Sequence, residues 1–285
     1  MPEVQLSIVL PARDEARSLQ TLVPRLKAQY PWAEIIVVDD GSTDDTAKVA
    51  ADGGARVVTH PYRKGNGAAI KSGTRAARGD VIVFMDADSQ HAPEDVGRLV
   101  AKLEEGYEMA VGARDAGSQA SFGRRVANDF YSRFASWMVK HEVKDLTSGF
   151  RAVKAARFRE FLHLLPNGFS YPTTSTMAFF RTGYSVGYVP IKAGKRLGDS
   201  HIRPIRDGLK FVLIMFRICT LFSPLRLFGP ISLGFFSIAS AYYAYTYFTL
   251  GRFTNMSALL YSTSIIIFLI GLISEQITML IYKRD

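Results

Sequence analysis

The chain holds a single cysteine among 285 residues, so an internal disulfide is excluded. Cys219 lies in an apolar stretch, where a small buried or lipid-facing hydrophobe is a plainer reading than a nucleophile or ligand. Histidine is also scarce: His60, His91, His141, His163 and His201 are scattered, and no Cys/His spacing argues for zinc. No Walker G-K-[ST] is present. Gly65-Asn66-Gly67-Ala68-Ala69-Ile70 begins like a dinucleotide fingerprint, but Ile70 stands where the third glycine belongs. A helix start with glycines permitting close packing is the favoured reading there, with Lys64 still able to face a diphosphate. Nor does the N-terminus show a basic segment followed by a long apolar one, so no secretory signal is read and the front domain is expected in the cytosol. With 48% hydrophobic residues the chain is too apolar for disorder.

Acidic residues are what the C-terminal part lacks. Residues 201–285 contain only Asp207, Glu275 and Asp285 against eight Lys and Arg, a balance of +5 out of the chain's +9. A basic, hydrophobic tail points to a membrane before nucleic acid, and no nucleic-acid partner is expected. Two stretches are uncharged for the length a bilayer requires, from Phe228 to Leu250 and from Phe253 to Ser274. They are read as transmembrane helices over residues 228–250 and 253–280. A buried helical hairpin is disfavoured because nothing amphipathic remains to face water. Arg203, Arg206, Lys210, Arg217 and Arg226 precede the pair, Lys283 and Arg284 follow it, and the connecting loop has only Arg252. Positive-inside bias then sets both termini and the front domain on the cytoplasmic side of an integral membrane protein. Bases spaced among apolar residues over 205–227 suggest interfacial amphipathic helices, broken at Pro224, with Gly229-Pro230 marking entry into the first span. Gly234 and the segment Ala239 to Ala244 offer small side chains for packing against the second span or another protomer.

Residues 1–204 read as a separate domain. Strands are predicted at Leu6–Leu10, Ile35–Val38, Arg56–Thr59, Val81–Met85 and Glu108–Val111. Helices are predicted at Ser18–Gln29, Thr43–Ala51, Gly67–Ala77 and Pro93–Glu104. That alternation implies an α/β domain with a mainly parallel sheet covered on both faces, whose ligands bind beyond the carboxyl ends of the strands. The strand ends carry Pro11-Ala12-Arg13-Asp14-Glu15, Asp39-Asp40-Gly41-Ser42 and Asp86-Ala87-Asp88-Ser89-Gln90. For Ser42 to Asp45 helix capping is the favoured role. Three polar clusters on one edge nonetheless make a crevice. Asp86 and Asp88, two residues apart after an apolar run, can converge on a hard cation with Gln90 as a third oxygen ligand, which suits Mg²⁺ or Mn²⁺. An isolated D-x-D is a weak signal that its position strengthens. Arg114, Arg124, Arg125, the segment Asp145 to Arg151, and Lys195-Arg196 follow. Singly each arginine reads as a solvated surface charge, and together they suit an anionic substrate.

These motifs resemble inverting family 2 glycosyltransferases. Pro11 to Glu15, Val37 to Ser42, Lys64 to Gly67, Asp86 to His91, Gly112-Ala113-Arg114 and Asp145 to Arg151 match them in order and spacing, over residues 5 to about 205. The nearest branch is that of polyprenyl-phosphate glycosyltransferases, dolichyl-phosphate mannosyltransferase and bactoprenol glucosyltransferase among them. The Q-x-x-R-W motif of processive polysaccharide synthases is absent. The resemblance implies a GT-A (Rossmann-like) fold and a nucleotide-sugar donor bordered by Pro11, Ala12, Arg13, Glu15, Asp40 and Lys64. Asp86, Ala87, Asp88 and Gln90 would lie at the donor diphosphate, with Asp86, Asp88 and Gln90 on the metal. Arg196 would close over the donor. Arg114, Arg125 and Asn128 would face the acceptor phosphate, although the segment between Arg114 and Arg125 is shorter than in the mannosyltransferases. Asp88, Arg114 and Asp145 would be catalytic, with Asp145 near the reaction centre either as a base or as an orienting group.

A polyprenyl monophosphate is already ionised at neutral pH, so it needs no strong base. The metal and the arginines would neutralise the departing nucleoside diphosphate. The expected activity is therefore transfer of a hexose from GDP-mannose or a UDP-hexose to dolichyl or undecaprenyl phosphate, inverting to a β-linked product. Two alternatives stand beside it: transfer to another lipid such as diacylglycerol, and a nucleotide-sugar-binding membrane partner without turnover.

Overall fold

The computed structural model describes residues 5–114, 132–168, 170–192, 216 and 219–282. It divides into two units, Met1–His201 and Ile202–Asp285.

The first unit is built on a sheet of seven strands in the order β3-β2-β1-β4-β6-β5-β7. They are β1 (Leu6–Ala12), β2 (Glu34–Asp39), β3 (Arg56–Thr59), β4 (Val81–Phe84), β5 (Met109–Arg114), β6 (Arg151–Lys154) and β7 (Val186–Ile191). β1 pairs in parallel with β2 and β4, with Ile8 opposite both Ile35 and Val83. β6 alone runs backward, antiparallel to β4 and to β5. Ile8, Ile35, Ile36, Val37, Ile82 and Val83 are all at most 2% exposed, as strands covered on both faces require.

One cover is α1 (Ala16–Gln29), whose buried Leu19, Leu22, Val23 and Leu26 recur at helical spacing, together with α4 (Glu94–Glu104), which buries Val96, Leu99 and Leu103. Between them in the chain lie α2 (Thr46–Asp52) and α3 (Asn66–Ala76). α3 packs on the β1–β2 region so closely that a Cβ at Gly73 would lie 2.3 Å from Val9 Cγ1. Residues 132–139 form α5, followed by α6 (Ala155–Arg159) and α7 (Tyr171–Arg181). From Tyr171 to Phe179 every residue of α7 is buried, including Thr173, Thr174, Ser175 and Thr176.

The expected strands and helices appear with ends shifted by a few residues, and β6 and β7 are additional. β7 contains Gly187 and Pro190, a composition that hides a strand, and as an edge strand it tolerates the missing Pro190 N–H.

In the second unit, two helices, Pro224–Leu250 and Asn255–Tyr282, are long and apolar enough to cross a membrane. The first begins at Pro224, where proline costs least, and continues through Gly229-Pro230. They join along a polar seam: the Ser232 hydroxyl donates to the Ser264 carbonyl at 2.9 Å, and the Ser264 hydroxyl donates to the Ser232 carbonyl at 2.9 Å. Ala239 is fully buried, whereas Gly234 faces open space. Of residues 205–227, only Phe216 and 219–227 are among those described.

Close packing at the start of α3 yields a direct check. A Cβ at Gly67 would lie 1.9 Å from the Pro166 carbonyl oxygen, whereas one at Gly168 meets nothing within 4 Å. Gly67→Ala should destabilise the protein by about 1–3 kcal/mol through overpacking. Gly168→Ala should stay within about 0.5 kcal/mol of wild type, both read from thermal unfolding.

Candidate active site

All strands except β6 end at the same edge of the sheet, and β6 begins there. The chain places two groups of polar side chains along this edge.

The first group joins the loops after β1, β2 and β3. Pro11 and Ala12 close β1, and Arg13 follows, exposed. Asp14, at φ 54°, accepts the Thr43 N–H at 2.8 Å, and its own N–H donates to Ser42 Oγ at 2.9 Å. The Glu15 N–H donates to Thr46 Oγ1 at 2.9 Å, and the Glu15 carboxylate accepts the Ser18 hydroxyl at 3.0 Å. Asp44 accepts the Ala16 N–H at 3.2 Å and the Thr46 N–H at 3.0 Å, so one carboxylate caps the first residue of both α1 and α2. The capping expected within 42–45 thus spans two loops and clasps them together.

Asp40 organises the third loop. Its Oδ1 lies 2.8 Å from His60 Nδ1 and accepts the Lys64 N–H at 2.8 Å, while Oδ2 accepts the Gly65 N–H at 2.8 Å. Burial works to raise the Asp40 pKa, but the bonds from His60, Lys64 and Gly65 outweigh it and hold the carboxyl below its ordinary value. The Lys64 ammonium stands 5.6 Å above the Tyr62 ring. The α3 N-terminus is not a phosphate cradle: the N–H groups of Gly67 and Ala68 donate to the carbonyls of Gly168 and Asn167. The glycines here serve packing.

The second group joins β4, β5 and β6. β4 ends at Phe84, so Asp86, Ala87 and Asp88 lie in the turn beyond it. The Gln90 N–H donates to Asp88 Oδ1 at 3.1 Å across Ser89, which sits at φ 60°, a sparsely populated conformation of the kind that clusters at functional sites. Gly149 faces Asp86 so closely that a Cβ there would lie 3.0 Å from Asp86 Oδ2.

At the end of β5, Arg114 grips Asp145 with two parallel bonds, Nε to Oδ2 at 2.8 Å and Nη2 to Oδ1 at 3.1 Å. Nη2 also donates to Thr147 Oγ1 at 2.6 Å. Asp145 is 1% exposed and accepts the Thr147 and Ser148 N–H groups at 3.1 Å as well. Burial pushes its pKa up, but the Arg114 guanidinium and these N–H groups hold it below the ordinary 3.8. These bonds fix the Asp145 carboxylate and the Arg114 guanidinium against each other. Arg125, Asn128 and Arg196 lie outside the described residues.

Residues 7–164 match Glycosyl transferase family 2. The chain belongs to that family. Residues 223–280 of this glycosyltransferase match a second domain, the GtrB C-terminal hairpin. Among curated proteins it is similar to glycosyltransferase AglJ of Haloferax volcanii, 28% identical over 82% of this chain and 77% of the relative. It is 31% identical to undecaprenyl-phosphate 4-deoxy-4-formamido-L-arabinose transferase of Pseudomonas savastanoi pv. phaseolicola, over 79% of this chain and 68% of that one. It is 30% identical to polyprenol monophosphomannose synthase of Mycolicibacterium smegmatis, over 68% and 79%. Among solved structures it resembles glucosyl-3-phosphoglycerate synthase from Mycobacterium tuberculosis in complex with Mn²⁺ and uridine-diphosphate-glucose, with a TM-score of 0.61, 25% identity, and coverage of 76% and 79%.

The donor set of the glycosyltransferase suits a hard cation, since Asp86, Asp88 and Gln90 offer oxygen alone. Among the described residues no three His, Cys, Asp or Glu side chains converge as a cage. A cation there would need water and substrate oxygens to complete its shell, the manner in which Mg²⁺ is commonly held. Sequence reasoning missed His60, whose Nε2 lies 2.9 Å from Ser72 Oγ, and His91, whose ring stacks on Phe150 at 4.7 Å. His60 carries no signal beyond a lone histidine, and His91 none beyond closing the Asp86 to His91 motif.

The Arg114–Asp145 pair makes stability depend on acid. Because the folded Asp145 pKa lies below the unfolded value near 3.8, its contribution is present above that value and is lost as pH falls through the folded pKa. Asp145→Asn should cost about 3–5 kcal/mol at neutral pH by leaving Arg114 unpaired. Its melting temperature should then fall less steeply than wild type below about pH 4. Parallel acid limbs for the two proteins would show that the pair does not govern this dependence.

Proposed function

We propose that this glycosyltransferase moves a hexose from a nucleotide sugar, GDP-mannose or a UDP-hexose, to a polyprenyl phosphate at the cytoplasmic membrane face, giving a β-linked lipid sugar. The observation that carries the reading is Arg114 fixed by Asp145 on the edge that also bears Asp86, in a chain whose other unit is an apolar hairpin. The activities for which the Pseudomonas and Mycolicibacterium relatives are named support the acceptor class.

Asp86, Asp88 and Gln90 would hold Mg²⁺ or Mn²⁺, which supplies charge neutralisation on the donor diphosphate. Pro11, Ala12, Arg13, Glu15, Asp40 and Lys64 border the nucleoside, Asp40 by shaping the 60–65 loop. Arg114 presents a guanidinium of fixed orientation to a phosphate, with Arg125 and Asn128 assigned to the same acceptor and Arg196 to the donor. An acceptor phosphate oxygen attacks the anomeric carbon, the bond from that carbon to the donor diphosphate breaks, and the configuration inverts. The acceptor phosphate arrives ionised, so no proton passes to the protein. Asp145 acts by holding Arg114. The hairpin spans the membrane, and the excess of basic residues flanking it sets both termini on the cytoplasmic side.

The test is purified protein with labelled nucleotide sugars, Mn²⁺ and either polyprenyl phosphate or diacylglycerol. Label should enter a mild-acid-labile lipid only with polyprenyl phosphate, and Asp88→Ala should lower the rate at least about a hundredfold. Label in the diacylglycerol arm would move the acceptor class, and equal transfer by Asp88→Ala would sink the metal assignment.

A further inference from the structure

Among the described residues Arg151 is the largest fully buried side chain, 0% exposed, and it forms no ion pair with any of their carboxylates. Its Nη1 donates to the Pro172 carbonyl at 2.9 Å, Ser175 Oγ at 2.7 Å and Thr176 Oγ1 at 3.1 Å, and its Nη2 donates to the Ser148 carbonyl. All of these acceptors are neutral, and Nε has no partner. A buried guanidinium without a counter-ion is costly, so its place in the fold calls for a reason. It begins β6 opposite Phe84, the last residue of β4, two positions before Asp86. The Tyr171 ring lies 5.6 Å from its Cζ, and the Tyr171 hydroxyl donates to the carbonyl of Gly149, the residue packed against Asp86. Asp86 and Asp145 are the carboxylates that act on its charge.

We infer that Arg151 is a positioning residue whose uncompensated charge behind Asp86 makes divalent-cation binding at Asp86 and Asp88 depend on the nucleotide diphosphate. Asp145 is already neutralised by Arg114. A cation held at Asp86 faces that fixed positive charge, an arrangement that repels a lone cation and favours one arriving with an anionic diphosphate. The inference rests on the cation reading of Asp86 and Asp88.

The experiment measures Mn²⁺ binding by electron paramagnetic resonance, with and without UDP or GDP, in the full-length protein. Wild type should bind Mn²⁺ weakly alone and more tightly with nucleotide. Arg151→Met should bind Mn²⁺ alone on the order of tenfold tighter, and the Mn²⁺–nucleotide complex more weakly, because the removed charge repels one and attracts the other. Ser175→Asp, which gives the guanidinium a carboxylate partner, should shift both constants in the same opposed directions and serves if Arg151→Met does not fold. Loss of both affinities, or change in neither, in folded Arg151→Met or Ser175→Asp overturns the inference. Failure of wild type to bind Mn²⁺ with either nucleotide would instead overturn the cation reading itself.

Discussion

A parallel sheet buried on both faces can offer polar groups to a ligand only at the ends of its strands, and that constraint organises the first unit. β1 lies between β2 and β4, so the loops that follow these three strands open side by side. Nothing in the interior of Ile8, Val37 or Val83 can contribute chemistry, because these side chains are spent on the core. The antiparallel β6 has a separate consequence. Because it begins where the others end, the preceding segment, from Asp145 to Gly149, is delivered to the same edge from the opposite direction. Arg114 at the end of β5 therefore meets Asp145 before β6, and Gly149 meets Asp86 after β4.

Several carboxylates of this edge are engaged by the chain itself. Asp40, Asp44, Asp88 and Asp145 accept backbone N–H groups, and Asp145 a guanidinium as well. For Asp40, Asp44 and Asp145 these bonds hold a loop or a side chain in position, and the lowered pKa of each records that use. Asp86 and Asp88 lie half-buried in a turn that contains the left-handed Ser89, with a glycine in place of a side chain beside Asp86. Asp145, the acidic residue of the motif before β6, is engaged as a clamp on Arg114.

Much of this was legible in residue order. The apolar runs marked β1, β2 and β4 because buried parallel strands must be apolar, and the acidic residues after them marked the edge. The partners of those acids were not legible, since an N–H from Gly65 or a hydroxyl from Thr46 leaves no trace in composition. β6 and β7 were hidden for physical reasons: Arg151 and Lys154 bracket a four-residue strand, and Pro190 is permitted only because β7 is at the edge. Arginine reads as surface, and Arg151 is fully buried because α7 supplies Ser175, Thr176 and the Pro172 carbonyl. α7 itself has no amphipathic stripe to announce it, as it is buried from Tyr171 through Phe179.

The hairpin follows a different rule from the sheet. A helix long and apolar enough to cross a membrane needs partners for its polar groups within the protein, and several hydroxyls here have them. Ser237, Ser240, Thr249 and Thr263 donate to carbonyls one turn earlier, and Ser232 and Ser264 exchange bonds across the seam. The Tyr261 hydroxyl reaches Ser240 at 3.0 Å. Glu275, the sole acid between residues 224 and 282, accepts the Leu225 N–H at 3.3 Å, placing a carboxylate at the start of the neighbouring helix, where the dipole favours it. Leu233, Ile238, Phe248, Ile266 and Leu280 are left outward and exposed, a face suited to lipid. Many hydroxyls of the hairpin are thus met within it, and the clasps described at the carboxyl edge join residues of the first unit. The two units solve separate solvation problems, and the division of apolar and charged residues along the chain is the record of that separation.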